Sequence, residues 1–93
     1  MEVATVRVTI EGRVQGVGYR AWVADQAEML GLVGWVRNRR DGTVEAVVSG
    51  DAATVDEFLA RCRDGPRAAI VSGVRSEDCD GPLGNGFKVL PTA

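Results

Sequence analysis

A glycine-rich stretch near the start of the chain, residues 12–20 with the sequence GRVQGVGYR, separates a strand pattern from a helix pattern. Before it, apolar residues alternate with polar ones, which is the period of a strand with one buried face: Val6, Val8 and Ile10. From Tyr19, near its end, apolar residues recur at helical spacing: Tyr19, Val23, Ala27 and Leu30. The stretch therefore predicts a strand, a tight glycine loop and a helix in direct succession.

Such a loop has the chemistry of an anion site. Its glycines allow backbone conformations closed to other residues, so successive N–H groups can face one point, and the helix start adds free donors and a positive dipole end. Arg20 adds a planar guanidinium that suits phosphate or carboxylate. Neither nucleotide-binding glycine motif is present, because no Gly-Lys-Ser/Thr follows and position 21 is Ala21. The glycines alone leave open a plain turn with a surface arginine.

The rest of the chain predicts an α+β, ferredoxin-like (split β-α-β) sandwich. The elements are expected in this order: a helix from Arg20 to Leu30, a strand from Leu32 to Arg39, a turn at Arg40-Asp41-Gly42, a strand from Thr43 to Ser49, a helix opened by Gly50-Asp51 and ended by Gly65-Pro66, a strand from Ala69 to Arg75 with a bulge, a loop from Ser76 to Gly86, and a short fifth strand from Phe87 to Leu90. The order β-α-β-β-α-β places two helices on one face of a mainly antiparallel sheet. We expect residues 1–93 to form a single domain.

Side-chain parity then predicts which residues face the helices. In the third strand the inward set is Val44, Ala46 and Val48, and the open-face set is Thr43, Glu45 and Val47. In the second strand Asn38 shares the inward parity of Val36, whereas Trp35, Arg37 and Arg39 point the other way. Asn38 and the loop can therefore meet at one edge of the sheet. The alternative is an ordinary strand-end amide with its hydrogen bonds satisfied.

Two blocks of this sequence resemble the signatures of the acylphosphatases, small hydrolases of carboxyl–phosphate bonds. GRVQGVGYR resembles the first, with Tyr19 where the family usually has Phe, and GWVRNRRDGTVE from Gly34 to Glu45 resembles the second. The likeness runs over nearly the whole chain and weakens after about Ser76. It implies that the substrate is a small acyl phosphate and that inorganic phosphate is a product. It also implies that Arg20 binds phosphate and Asn38 orients water, with the loop N–H groups as phosphate ligands: Gln15, Gly16, Val17, Gly18, Tyr19 and Arg20.

The composition narrows the mechanism. The chain has no histidine, which removes Ser-His chemistry and a phosphohistidine intermediate, and Ala68 stands where a cysteine phosphatase with Cys62 would need arginine. No residue cluster has metal-ligand spacing, so no metal or cofactor is expected, and Cys62 and Cys79 are predicted to be free thiols. Direct attack by water on the bound phosphate remains.

The charge pattern bears on partners and location. Eleven Lys and Arg against thirteen Asp and Glu give a net charge of −2, which argues against nucleic-acid binding. Five arginines nevertheless lie in or beside the two blocks and predict a local basic mouth: Arg13, Arg20, Arg37, Arg39 and Arg40. The sequence shows neither a membrane span nor a signal peptide, so we expect a cytoplasmic protein. We also expect a monomer.

Two other functions compete with the hydrolase. One is a non-catalytic phosphate-binding, carbamoyl-phosphate-binding or regulatory domain, which is less expected if the 93 residues are a complete protein. The other is RNA binding on the open face of the sheet, which would require aromatic residues where strands one and three offer Arg7, Thr9, Glu11 and Thr43, Glu45, Val47.

Overall fold

Two helices cover one face of a five-stranded sheet in the computed structural model, which describes residues 2–80 and 84–93. The elements are β1 (Val3–Arg13), α1 (Tyr19–Met29), β2 (Val33–Asn38), β3 (Val44–Asp51), α2 (Ala52–Asp64), β4 (Ile70–Asp78) and β5 (Phe87–Val89). The strand order is β4-β1-β3-β2-β5, and all neighbours are antiparallel except the parallel pair β2–β5. The predicted ferredoxin-like α+β fold is confirmed.

The fourth strand is longer than predicted. Alternation of apolar and polar residues ends near Arg75, but pairing with β1 continues through Ser76, Glu77 and Asp78. Polar side chains fit there because β4 is an edge strand and its last four residues are exposed. The predicted bulge is present: Glu11 pairs with Gly73 and Gly12 with Val71, which leaves one residue of β4 unpaired. Part of the predicted loop, residues 81–83, lies outside the described residues.

The predicted parity of the sheet is confirmed by burial. The inward side chains of β1 and β3 are at most 7% exposed and form the core with the helices: Val6, Val8, Ile10, Val44, Ala46 and Val48. The helices contribute the apolar stripes expected from their spacing, including Tyr19, Val23 and Ala27 from α1 and Val55, Phe58 and Cys62 from α2. Asp51 is the N-cap of α2, in agreement with the predicted opening of this helix at Gly50-Asp51.

The face of the sheet away from the helices is built around a buried carboxylate. Glu45 in β3 is 5% exposed and accepts hydrogen bonds from Arg37 Nε at 2.7 Å and Arg39 Nη1 at 3.2 Å, with Arg7 Nη1 at 3.9 Å. Burial raises the pKa of Glu45, but the two bonded arginines outweigh it and hold the pKa below its ordinary value. The Arg37 guanidinium also lies 4.8 Å from the Trp35 ring centre. This face is therefore an arginine-covered surface rather than an aromatic one.

Tyr19 finds a partner for the hydroxyl that distinguishes it from phenylalanine. Its ring is 1% exposed beneath the start of α1, and its hydroxyl donates to the Cys62 carbonyl at 2.7 Å. In α2 that carbonyl would ordinarily accept the N–H four residues later, but the residue there is Pro66, which has none. Tyr19 thus satisfies the end of the second helix from the first. Both Cys62 and Cys79 are free, as predicted.

We expect Tyr19→Phe to lower the free energy of unfolding by about 1–3 kcal/mol, because it keeps the ring and leaves the Cys62 carbonyl without a donor. Urea denaturation of both proteins measures the difference. Thr5→Val is a suitable comparison, since it removes a hydroxyl that bonds Ser49 at 2.8 Å in a half-buried place, and it should cost less. Equal stability of Tyr19→Phe and the parent would contradict the assigned role.

Burial of the Cys62 thiol and of the Tyr19 phenol also predicts a loss of stability at alkaline pH. Burial raises the pKa of the Cys62 thiol to about 12 and raises that of the Tyr19 phenol as well. In the unfolded chain these groups lose their protons at about pH 8.5 and 10, so from about pH 8.5 upward the unfolded state binds fewer protons than the folded one. Their contribution to the free energy of unfolding should be fully present below about pH 8.5 and should be lost progressively as the pH rises. Urea denaturation at stepped pH measures the fall, and Cys62→Ala should make it shallower; an unchanged slope in that variant would rule out thiol burial as the cause.

Candidate functional site

A cavity of about 230 Å³ opens at the edge of the sheet where α1 begins. Its walls come from the loop, the first turn of α1 and the ends of β2 and β5: Val14, Gly16, Gly18, Tyr19, Arg20, Ala21, Asn38 and Val89. Strand register explains the meeting, because Ile10 near the end of β1 pairs with Val44, which in turn pairs with Asn38. The structure thus brings Arg20, Asn38 and part of the loop to one place.

The loop takes its shape from two glycines in left-handed conformations. Gly16 has φ 74° and Gly18 has φ 76°, a region that other residues rarely adopt, although an added β-carbon would meet nothing within 4 Å at either position. Gly18 is also the N-cap of α1, where no side chain caps the helix and no acidic residue occupies the first turn. The free N–H groups and the positive dipole end of α1 are therefore available to an anion beside the cavity.

Arg20 extends from the first turn of α1 toward the C-terminal segment. Its Nη1 donates a hydrogen bond to the Leu90 carbonyl at 3.1 Å, and the Leu90 N–H donates to the Val36 carbonyl of β2 at 2.8 Å. A guanidinium has five N–H donors, so this bond orients the group and leaves other donors for a ligand. Arg20 is thereby fixed against a segment 70 residues away in sequence.

Asn38 ends β2 on the helix face, as parity predicted. Its backbone carbonyl accepts a hydrogen bond from the Ala93 N–H at 3.0 Å, but its side-chain Oδ1 is buried and has no partner among the described residues. An unpaired buried acceptor costs about 1–3 kcal/mol, so this oxygen calls for a donor that the described residues do not supply. The free acceptor suits an O–H or N–H donor that enters the cavity.

Gln15 and Val17 do not line the cavity with the other loop residues. The Gln15 Nε2 donates to two carbonyls of the β2–β3 hairpin, that of Arg39 at 2.6 Å and that of Thr43 at 2.8 Å. Val17 is half-buried against the hydrophobic core. Both residues can therefore reach a ligand only through their backbone N–H groups.

The predicted basic mouth is smaller than expected. Arg37 and Arg39 are bonded to Glu45 on the opposite face of the sheet, Arg13 and Arg40 are exposed, and none of these four lines the cavity. Trp35 lies with Arg37 on that opposite face, and Trp22 packs on Tyr19 with ring centres 5.4 Å apart, so neither walls the cavity. Sequence reasoning missed the apolar wall from Val14 and from Val89, since Val89 arrives by the parallel pairing of β5.

A larger cavity, about 480 Å³, lies on the open face of the sheet. Each arginine of its lining is paired with an acid: Arg7 with Glu77, Arg39 with Glu45, and Arg75 with Glu11, which is outside the lining. It holds neither the loop nor Asn38. We therefore place the candidate site in the smaller cavity.

Metal-ligating clusters and membrane-spanning helices are both absent from residues 2–80 and 84–93. No group of three or more His, Cys, Asp or Glu side chains is arranged to hold a metal ion in that part of the chain. Within the same residues, neither helix has the length and apolar character needed to cross a membrane.

Comparison with known proteins places this geometry in a family. The family model for acylphosphatase matches residues 6–89. An acylphosphatase of Rhizorhabdus wittichii is 51% identical over 86 residues, covering 92% of this chain and 87% of that protein. One of Bradyrhizobium diazoefficiens is 50% identical over 98 residues, covering 99% of each.

The fold, like the sequence, is similar to that of known acylphosphatases. The structure of an acylphosphatase from Coxiella burnetii matches with a TM-score of 0.91 at 35% identity, covering 95% of this chain and 93% of that one. The likeness thus extends over nearly the whole chain. The chain belongs to the acylphosphatase family, and the hydrolase class predicted from its two sequence blocks is confirmed.

Proposed function

We propose that this chain hydrolyses acyl phosphates to a carboxylate and inorganic phosphate by direct attack of water in the cavity beside Arg20 and Asn38. The observation that supports the proposal most is the pairing of an anion-binding loop with a buried, unpartnered Asn38 oxygen in one cavity. A single acylphosphatase-like domain, residues 1–93, performs the reaction as a cytoplasmic monomer without metal or cofactor.

Binding of the phosphoryl group rests on the loop and Arg20. The backbone N–H groups from Gln15 to Tyr19, the uncapped first turn of α1 and the free donors of Arg20 surround the phosphoryl oxygens. These donors are held before substrate arrives, the loop by its glycines and Arg20 by the Leu90 carbonyl. Charge that grows on the phosphoryl oxygens in the transition state is therefore stabilised with little reorganisation.

Asn38 positions the attacking water. Its Oδ1 accepts a hydrogen bond from the water, whose oxygen forms the new bond to phosphorus as the bond from phosphorus to the acyl oxygen breaks. The carboxylate leaves with the bonding electrons, and the water proton passes to a phosphoryl oxygen of the substrate. A carboxylate is a good leaving group, so the reaction needs orientation more than a strong base, in keeping with a chain that lacks histidine.

Release of inorganic phosphate from a synthetic acyl phosphate should persist in saturating EDTA, because every group with a proposed role is a side chain or backbone atom of the protein. The assay measures phosphate with and without chelator, and then with added Mg²⁺. Complete loss with EDTA that Mg²⁺ restores would refute the metal-independent mechanism. Phosphate binding without any turnover would favour the non-catalytic domain instead.

Substitutions of Asn38 and of Arg20 should change the kinetics in different ways. Asn38→Ala should lower kcat by about 100-fold and change the inhibition constant of inorganic phosphate little, since the loop and Arg20 remain. Arg20→Lys keeps the charge but loses the planar fork and the bond to Leu90, so it should weaken phosphate binding and turnover together. Steady-state kinetics on folded variants separates the two. Unchanged kcat in Asn38→Ala, or loss of phosphate affinity in step with kcat, would contradict the assignment to water.

A further inference from the structure

The Gln15 side chain connects the two halves of the proposed site. It extends from the loop to the hairpin that follows Asn38. There its amide nitrogen donates two hydrogen bonds, one to the Arg39 carbonyl at 2.6 Å and one to the Thr43 carbonyl at 2.8 Å. In sequence, Gln15 is 24 residues from Arg39 and 28 residues from Thr43. No other side chain among the described residues bonds this loop to that hairpin.

The hairpin closes without Gln15. The Thr43 carbonyl already accepts the Arg39 N–H at 2.8 Å, and the Arg39 carbonyl already accepts the Gly42 N–H at 3.1 Å. Asp41 further stabilises the turn by accepting from the Thr43 N–H at 2.9 Å. The two bonds from Gln15 are therefore additional to those that fold the turn, and their effect is to fix the distance between loop and hairpin.

We propose that Gln15 is a positioning residue that aligns Asn38 with the phosphate loop, so that the water held by Asn38 is in line with a phosphoryl group held by Arg20. The inference rests on the proposed function. Asn38 precedes Arg39 directly, so a carbonyl held at Arg39 limits how far the Asn38 amide can move from the loop. The role belongs to the Gln15 side chain and is separate from any phosphate contact of its backbone N–H.

Gln15→Met tests this role. Methionine has nearly the length of glutamine and no donor, and both hairpin carbonyls keep their backbone donors, so the variant should fold. We expect kcat to fall about 10- to 100-fold, the scale of a displacement of about 1 Å, while the inhibition constant of inorganic phosphate changes little. Gln26→Met is the matched control, because it removes a half-buried glutamine bond of 2.9 Å to Arg61 between the helices, and its kcat should equal that of the parent.

A double-mutant cycle then asks whether Gln15 acts through Asn38. In the Asn38→Ala background, Gln15→Met should change kcat by less than about two-fold, because there is no amide left to position. A full multiplicative loss in that background, an unchanged kcat in folded Gln15→Met, or a rise in the phosphate inhibition constant without loss of kcat would each overturn the inference. If Asn38→Ala itself retains full kcat, the proposed function of Asn38 fails first, and the two failures are thus distinguished.

Discussion

Burial of one face of the β1–β3 pair is the constraint on which the rest of the molecule depends. The inward side chains of these two strands are closed to solvent, so both helices must cover the same face. Their register also sets which ends meet: Ile10 opposes Val44, and Val44 opposes Asn38. The loop that leaves β1 for α1 therefore starts beside the end of β2, on the side where Asn38 projects. The site follows from sheet pairing before any contact with a ligand.

The opposite face solves a different problem. Val47 and Glu45 of β3 are buried there without a helix above them. Glu45 remains charged because Arg37 and Arg39 bond it from β2 and the hairpin, and Arg7 approaches from β1. Arginine stems cover apolar surface while their heads pair with the acid, so the same residues shield the sheet and satisfy the carboxylate. Arg37 and Arg39, which the sequence pattern assigned to an anion site, therefore stabilise this face of the sheet instead.

Local pattern was sufficient to predict most of the fold, and parity was sufficient to place Asn38. Val36 and Asn38 share a face in any regular strand, and Gly16 and Gly18 permit the left-handed conformations that both adopt. The contacts that could not be predicted join residues far apart in sequence. The parallel pairing of β5, the bond from Arg20 to Leu90 and the bonds from Gln15 to the hairpin leave no periodic signal. The extension of β4 to Asp78 was missed because an edge strand can bear polar residues on both faces.

Under the proposed mechanism, stability and function oppose each other at Asn38. A fold of this size has one core, and an unpaired buried amide oxygen at the cavity beside that core costs about 1–3 kcal/mol. The surrounding groups are by contrast well satisfied: the Asn38 carbonyl accepts from the Ala93 N–H, the Leu90 N–H donates to the Val36 carbonyl, and the hairpin turn is closed by backbone bonds and by Asp41. A site that acts by orientation needs this combination. In the proposed mechanism, the Asn38 amide lacks a protein partner so that it can hold water, and the groups around it are fixed so that the water is held in one place.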